Sequence, residues 1–196
     1  MSPIDLREYK AELRAKRRRR REALSDEHKK ELDRRIAERV TSLYQYKNAK
    51  TVMIYVSTAI EVDTFEIIER ALADGKKIAL PRCIKGTRNM EFHYISSLDD
   101  LERGSFNVLE PKEELEIVTD YSDTLMVVPA LSLDSFGYRL GYGGGYYDRF
   151  LSDFKGKSVG VYRTGFLHGE DLPRESTDKK CSHLASREGV RRLKGE

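Results

Sequence analysis

The sequence predicts an α/β fold: a single domain over residues 1–196, with a mostly parallel central sheet flanked by helices and preceded by two N-terminal helices. Three observations carry this reading. Short apolar, β-branched runs recur along the chain, and amphipathic or turn-forming stretches separate most of them. The length of 196 residues, 39% of them hydrophobic, suits one substantial core and is short for two. No internal repeat or low-complexity linker divides the chain.

The elements follow in order. Leu6, Tyr9 and Leu13 recur at i, i+3 and i+7, which predicts a first helix facing inward on that stripe. After Ser25, a candidate cap, Leu32, Ile36, Val40 and Leu43 mark a second helix. TVMIYV (51–56) reads as the first strand, and DTFEIIERALADGK follows as a helix with Phe65, Ile68 and Leu72 on one face. Asp63 and Glu66 have the spacing of a capping box. Further strands are expected at KKIALP (76–81), MEFHYI (90–95), TLMVVPAL (124–131) and KSVGVY (157–162). The 83–89 segment and the acidic 110–123 region read as surface connections.

Composition narrows the function classes. The 36 basic and 33 acidic side chains leave a net charge of only +3, so the chain does not read as a coat for polyanions. No run is long and apolar enough for a membrane span, and the opening MSPIDLREYKAEL lacks the apolar core of a secretory signal. Cys83 and Cys181 are far apart and form no C-x-x-C pair. A reduced, cytoplasmic protein is expected.

The densest signal is SFGYRLGYGGGYYDRFL (135–151), which holds five glycines, four tyrosines and two arginines in 17 residues. It lies just beyond the strand at 124–128, at the carboxyl end of the sheet where α/β proteins gather ligands. Gly143, Gly144 and Gly145 have no Cβ to hold an anion away, and Tyr147, Phe150, Leu151 and Phe154 mark a helix beginning there. Arg139 could add a bidentate contact to a phosphate. The pattern matches neither G-x-x-x-x-G-K-[ST], which needs a following Lys-Ser or Lys-Thr, nor G-x-G-x-x-G, because position 146 is Tyr. A tight strand-to-helix crossing would use the same glycines for packing alone. Asp148 in the first helical turn is stabilised there by the helix dipole, and beside phosphates it could equally hold Mg²⁺. Tyr147 reads as core, whereas Tyr142 and Tyr146 could lie against a flat ring.

These residues resemble a known pattern. PALSLDSFGYRLGYGGGYYDRFL (129–151) resembles the signature of the 5-formyltetrahydrofolate cyclo-ligase family, also called 5,10-methenyltetrahydrofolate synthetases. YVSTAIEVDT (55–64), ALPRC (79–83), MEF (90–92) and FNVLEP (106–111) are similar to further segments of that family in the same order. The resemblance implies an enzyme that uses ATP and Mg²⁺ to activate the formyl oxygen of 5-formyltetrahydrofolate as a phosphate. The nitrogen at position ten then attacks, and 5,10-methenyltetrahydrofolate, ADP and phosphate result. Such an enzyme mainly aligns the γ-phosphate and offsets its charge.

Residue by residue, the resemblance implies an ATP-binding loop of Arg139, Leu140, Gly141, Tyr142, Gly143, Gly144, Gly145, Tyr146 and Tyr147, with Arg139 acting in catalysis. It implies Asp148 as a magnesium ligand and a folate site bordered by Tyr142 to Tyr146, Glu61 and Val56. Glu61 could accept hydrogen bonds from pterin N–H groups; an exposed turn carboxylate is the plain alternative. Lys10 and Arg14, one turn apart on a common helix face, match a K-x-x-x-R that reaches ATP.

Seven of the eight residues from Arg14 to Arg21 are basic, so they encircle the helix and most must be solvated. Nucleic-acid binding by this tract is the competing reading, marked by steep salt dependence. Beyond residue 160 the resemblance departs: Pro173 and Asp178, the counterpart of a second magnesium ligand, are present, but a glutamine is missing and HLASREG replaces a threonine-containing segment. That leaves room for a divergent ligase of the same fold with another acceptor. Arg82 is a weaker phosphate or glutamate-tail candidate. His28, His93, His168 and His183 lack metal-ligand spacing and read as surface or packing residues. A small-molecule substrate and a monomer without membrane attachment are expected.

Overall fold

Three helices, not two, precede the sheet: α1 (Leu6–Glu22), α2 (Asp26–Ser42) and the short α3 (Tyr44–Asn48). They belong to a computed structural model that describes residues 5–163, 165–166 and 171–193. Asp5 caps α1 by accepting from the backbone N–H of Arg7 and Glu8, and the Ser25 hydroxyl caps α2 as expected by accepting from His28. The extra helix exists because Tyr46 is buried there and donates its hydroxyl to the Asp74 carboxylate at 2.7 Å.

The rest of the chain alternates as predicted. β1 (Thr51–Ile54) is followed by α4 (Phe65–Ala73), β2 (Lys77–Cys83), β3 (Met90–Ile95) and a small hairpin of β4 (Leu101–Arg103) and β5 (Leu109–Pro111). Then come β6 (Thr124–Val128), a second hairpin of β7 (Ser132–Leu133) and β8 (Arg139–Leu140), α5 (Tyr146–Asp153), β9 (Lys157–Val161), β10 (His183–Ser186) and β11 (Gly189–Arg192). Seven strands form one sheet in the order β11-β10-β9-β6-β1-β2-β3. The five inner strands run parallel, and β3 and β11 close the edges antiparallel.

Alternate residues of the inner strands feed two cores. Val52, Ile54, Leu125 and Val127 pack with Ile36, Val40, Ile67 and Ile68 of α2 and α4. Met53, Met126 and Val128 face the other way, toward Phe92 and the α5 residues Phe150 and Leu151. Both sheet faces are therefore covered, as a parallel sheet requires.

Several boundaries differ from the sequence reading, each for a physical reason. β1 ends at Ile54 because Tyr55 and Val56, though buried, leave the ladder as the chain bends toward Glu61. β6 ends at Val128, since Pro129 has no N–H to continue a ladder. β2 runs on to Cys83 because β3 pairs with it there, and β9 stops at Val161. No capping box forms at α4: Asp63 accepts from Phe65 N–H at 2.9 Å, while Glu66 pairs with Arg70 one turn along. The acidic 110–123 region is more than a surface connection. Glu110 and Val118 are buried, and backbone bonds from Tyr94 to Glu116 and from Val118 to Phe92 add this segment to the β3 edge.

The largest correction concerns α1. Leu6 and Leu13 are only half-buried and Tyr9 is exposed, whereas Lys10 and Arg21 are buried and Arg14 and Arg17 half-buried. This cationic stripe faces inward because α1 lies across the carboxyl ends of β1 and β6. There it meets backbone carbonyls and carboxylates rather than an apolar sheet face.

Candidate active site

The carboxyl ends of β1 and β6 present two loops to α1, and the sequence-predicted residues divide between them. After β6 the β7–β8 hairpin delivers Arg139 and Leu140, and residues 141–145 turn into α5. Gly143 and Gly145 have φ of 100° and 71°, a region that glycine enters without strain. A Cβ on Gly144 would lie 2.7 Å from the Tyr146 ring, and one on Gly141 would meet nothing within 4 Å. The loop is thus open at Gly141 and tight at Gly144. Leu140 turns its side chain into the core and offers the site only backbone.

Charged side chains converge on this loop. Arg14 donates its Nε to the Gly141 carbonyl at 2.9 Å. Arg139, nearly buried, lies 2.8 Å from the Asp148 carboxylate and donates to the Lys179 carbonyl at 2.9 Å. Asp148 accepts from the Lys179 N–H at 3.0 Å, and the adjoining Asp178 pairs with Lys10 at 2.8 Å. The 175–179 segment therefore ties α1 to α5. Lys10, Arg14, Arg139, Asp148 and Asp178 are drawn together from four separate stretches of chain.

The second loop carries Glu61, which is buried; its Oε2 accepts from the backbone and hydroxyl of Thr58 at 2.9 and 2.7 Å. Burial and the neighbouring Glu61 carboxylate hold the Tyr142 hydroxyl protonated well above the ordinary tyrosine range. Tyr142 of the glycine loop and Glu61 of the β1 loop therefore share one site, while the Tyr142 residue remains partly exposed and the Arg18 guanidinium lies 5.8 Å from its ring centre. Val56 is buried in the core beneath this loop. Tyr146 reaches the Thr87 carbonyl at 3.3 Å, and the exposed Phe106 ring meets it edge-on at 6.1 Å.

Three buried polar atoms have no hydrogen-bond partner among the described residues: Arg17 Nε, Arg139 Nη2 and the Tyr147 hydroxyl. The Arg139 atom is near Asp148 but not aligned with it as a hydrogen bond. Burial pushes the Tyr147 hydroxyl far up, with the Glu61 charge adding to the effect. An unpaired donor is costly in a closed interior, so the Tyr147 hydroxyl, which has Glu61 and Arg139 as charged neighbours, fits a polar ligand. Among the described residues no three of His, Cys, Asp or Glu gather into a protein-only metal cage.

Other candidates have structural roles. Arg82 is committed to the β4–β5 hairpin through Glu102 at 2.8 Å and the Pro111 carbonyl at 2.6 Å. His28 is exposed, His93 is buried between the Leu115 carbonyl and Glu91, and His183 contacts the Ser182 hydroxyl at 3.0 Å. His168 lies outside the described residues. Both cysteines are free; burial and Glu110 push the Cys83 thiol up to about 12, and burial pushes Cys181 up to about 11.

Sequence reasoning missed Arg21, Asp33 and Arg163. Arg21 donates to the carbonyls of Ala130 at 2.6 Å, Leu131 at 3.2 Å and Ile60 at 3.1 Å. Arg163 forks onto both oxygens of Asp33, at 2.8 and 2.6 Å. Asp33 had one legible signal, a carboxylate inside the apolar stripe of α2. Arg21 was hidden among identical neighbours, and nothing marks Arg163. Of the basic tract, Lys16, Arg18, Arg19 and Arg20 are exposed. Among the described residues no helix is long and apolar enough to cross a membrane.

Comparison with known proteins identifies the family. A model of the 5-formyltetrahydrofolate cyclo-ligase family matches residues 6–185. The solved 5,10-methenyltetrahydrofolate synthetase of Aquifex aeolicus superposes with a TM-score of 0.82 at 34% identity, covering 95% of this chain and 94% of that one. The 5-formyltetrahydrofolate cyclo-ligase of Escherichia coli K12 is 31% identical over 170 residues, 82% of this chain and 91% of its own. The mouse enzyme of the same name is 31% identical over 157 residues, 77% of each chain. The divergent stretch near the carboxyl terminus does not break the likeness, because it still supplies β10 beside β9. With its sheet order, its glycine loop and these relatives, the chain belongs to the 5-formyltetrahydrofolate cyclo-ligase family.

Proposed function

We propose that this chain converts 5-formyltetrahydrofolate and ATP to 5,10-methenyltetrahydrofolate, ADP and phosphate with Mg²⁺ present. The observation that carries this reading is the convergence of two loops: Arg14 and Arg139 flank the open glycine bend, with Lys10 one helical turn from Arg14 against Asp178, while Glu61 lies beside Tyr142 of that same bend. A triphosphate at residues 141–145 and a pterin at Glu61 would then be neighbours.

The chemistry needs alignment more than covalent help. The γ-phosphoryl group passes to the formyl oxygen as its bond to ADP breaks, the nitrogen at position ten attacks the activated carbon and gives up its proton to the departing phosphate, and the carbon–oxygen bond breaks as that phosphate leaves. Arg139 offsets charge on the transferring group with the Nη2 that has no aligned partner. Arg14 and Lys10 hold the remaining phosphates, joined by backbone N–H groups at the start of α5. Glu61 accepts hydrogen bonds from the pterin, and Tyr142, Tyr146 and Phe106 flank its ring.

The residues fit the metal as well. Asp148 and Asp178 provide two carboxylates near the phosphate cradle, a donor set that Mg²⁺ completes with phosphate oxygens and water. When bound, Mg²⁺ would neutralise phosphate charge there. We also propose that the chain acts in the cytoplasm, on a small molecule, as a monomer. Purified protein given 5-formyltetrahydrofolate, ATP and Mg²⁺ is expected to develop the near-ultraviolet absorbance of the methenyl product. Omission of ATP should abolish the signal; an unchanged spectrum in the complete mixture would overturn the reading.

A further inference from the structure

Glu61 does not hold its own position. Among the described residues its carboxylate accepts from Thr58, three residues back in the same turn, and lies beside Tyr142, which leaves the turn as a whole to be fixed by something else. Three side chains from distant parts of the chain do this. Arg163, just after β9, donates to the Ile60 carbonyl at 3.1 Å and to the Glu61 carbonyl. Arg21 of α1 donates to the same Ile60 carbonyl at 3.1 Å. Asp33 of α2 accepts from the Asp63 N–H at 3.1 Å, so the turn is held on both sides of Glu61.

The geometry of this group sets more than one loop. Asp33 grips Arg163 with both carboxylate oxygens, and that fork fixes the plane of the guanidinium. Arg21 spends its other donors on Ala130 and Leu131, at the exit of β6, so a single side chain spans the Glu61 turn and the approach to the glycine loop. The charges balance as a set: Arg21 and Arg163 against Asp33 and Glu61, all four buried. Such a network is expensive to desolvate, and its defensible use is to impose one geometry.

We propose that Arg163, oriented by Asp33, is a positioning residue that sets the height of Glu61 in the folate subsite, and that Arg21 fixes that subsite relative to the nucleotide loop. The proposal rests on the assignment of Glu61 to the folate. Arg163→Lys keeps the charge that Asp33 needs but cannot reach both oxygens and both carbonyls. It is expected to raise KM for 5-formyltetrahydrofolate about 10- to 100-fold while KM for ATP moves less than about twofold. Amide hydrogen exchange over residues 58–63 should quicken in the same variant. The double variant Arg163→Met with Asp33→Asn removes both charges, so no buried ion is left unpaired, and should show the same split in KM.

Equal rises in both KM values, or exchange over 58–63 as slow as in the wild type, would overturn the proposal. Glu61→Gln separates the two levels. If Glu61→Gln raises the folate KM and Arg163→Lys does not, the positioning role fails and the folate assignment stands. If the wild type itself shows no turnover, the assignment above fails instead, and the exchange measurement still decides whether Arg163 holds the turn.

Discussion

Glu61 is a buried carboxylate whose two strongest visible bonds come from a single threonine, so it retains acceptor capacity for a ligand. On the proposed assignment, loss of its charge would remove charge-assisted hydrogen bonds to the pterin. Glu61→Gln is therefore expected to raise KM for 5-formyltetrahydrofolate about tenfold or more, with KM for ATP nearly unchanged. Steady-state kinetics with each substrate varied in turn would show it, and an equal effect on both substrates would contradict the assignment. Gly144 gives the complementary result. A valine there drives a Cβ into the Tyr146 ring, so Gly144→Val should weaken nucleotide and folate together and cut kcat/KM by roughly 100-fold. At this scale the sequence was legible where spacing carried meaning. Lys10 and Arg14 lie one turn apart, and Asp148 follows the glycines. Arg163 was illegible because its importance comes from Asp33, 130 residues away.

At the scale of elements, α1 teaches the most about what patterning can and cannot show. Apolar periodicity assigns Leu6, Tyr9 and Leu13 to the inside, yet the helix is docked by Lys10, Arg14 and Arg21. Periodicity assumes an apolar surface opposite, and strand ends are polar. Arg21→Met would leave the carbonyls of Ala130 and Leu131 without this donor and Ile60 with one donor fewer. It is expected to cost about 3 kcal/mol of stability, read as a lower urea midpoint. Arg19→Met, on the exposed side, should change stability by less than about 0.5 kcal/mol and leave the midpoint nearly in place. Similar losses from both would contradict the docking described for α1. The strands were the most legible elements, because β-branched runs such as TVMI and TLMVV pack on both faces. Their ends were less so, since Pro129 and the bend after Ile54 act one or two residues inside the apolar run.

For the whole molecule, β10, paired between β9 and the edge strand β11, supplies a pH dependence. Burial first, and the nearby Arg192 and Lys157 as well, hold the His183 pKa below its ordinary value of 6.5. The folded state therefore keeps this imidazole neutral where the unfolded chain begins to bind a proton. Its contribution to stability is fully present above about pH 6.5 and is lost as pH falls toward the depressed folded value. Urea midpoints measured from about pH 7.5 down to about pH 5.5 should decline, and His183→Gln should flatten that decline. A wild-type profile unchanged by the substitution would remove His183 as the cause.

The α/β class and the mostly parallel sheet could be read from alternation alone, whereas the sheet order, the edge formed by residues 116–118 and the Arg21 bridge depend on contacts between remote segments. The proposed function requires one coupling: a nucleotide at the glycine bend is consumed only when a formylated folate lies against Glu61. ADP release, followed with and without 5-formyltetrahydrofolate, tests it most directly. The account predicts ADP formed one for one with methenyl product and almost none without the folate; ADP release that ignores the folate would contradict it.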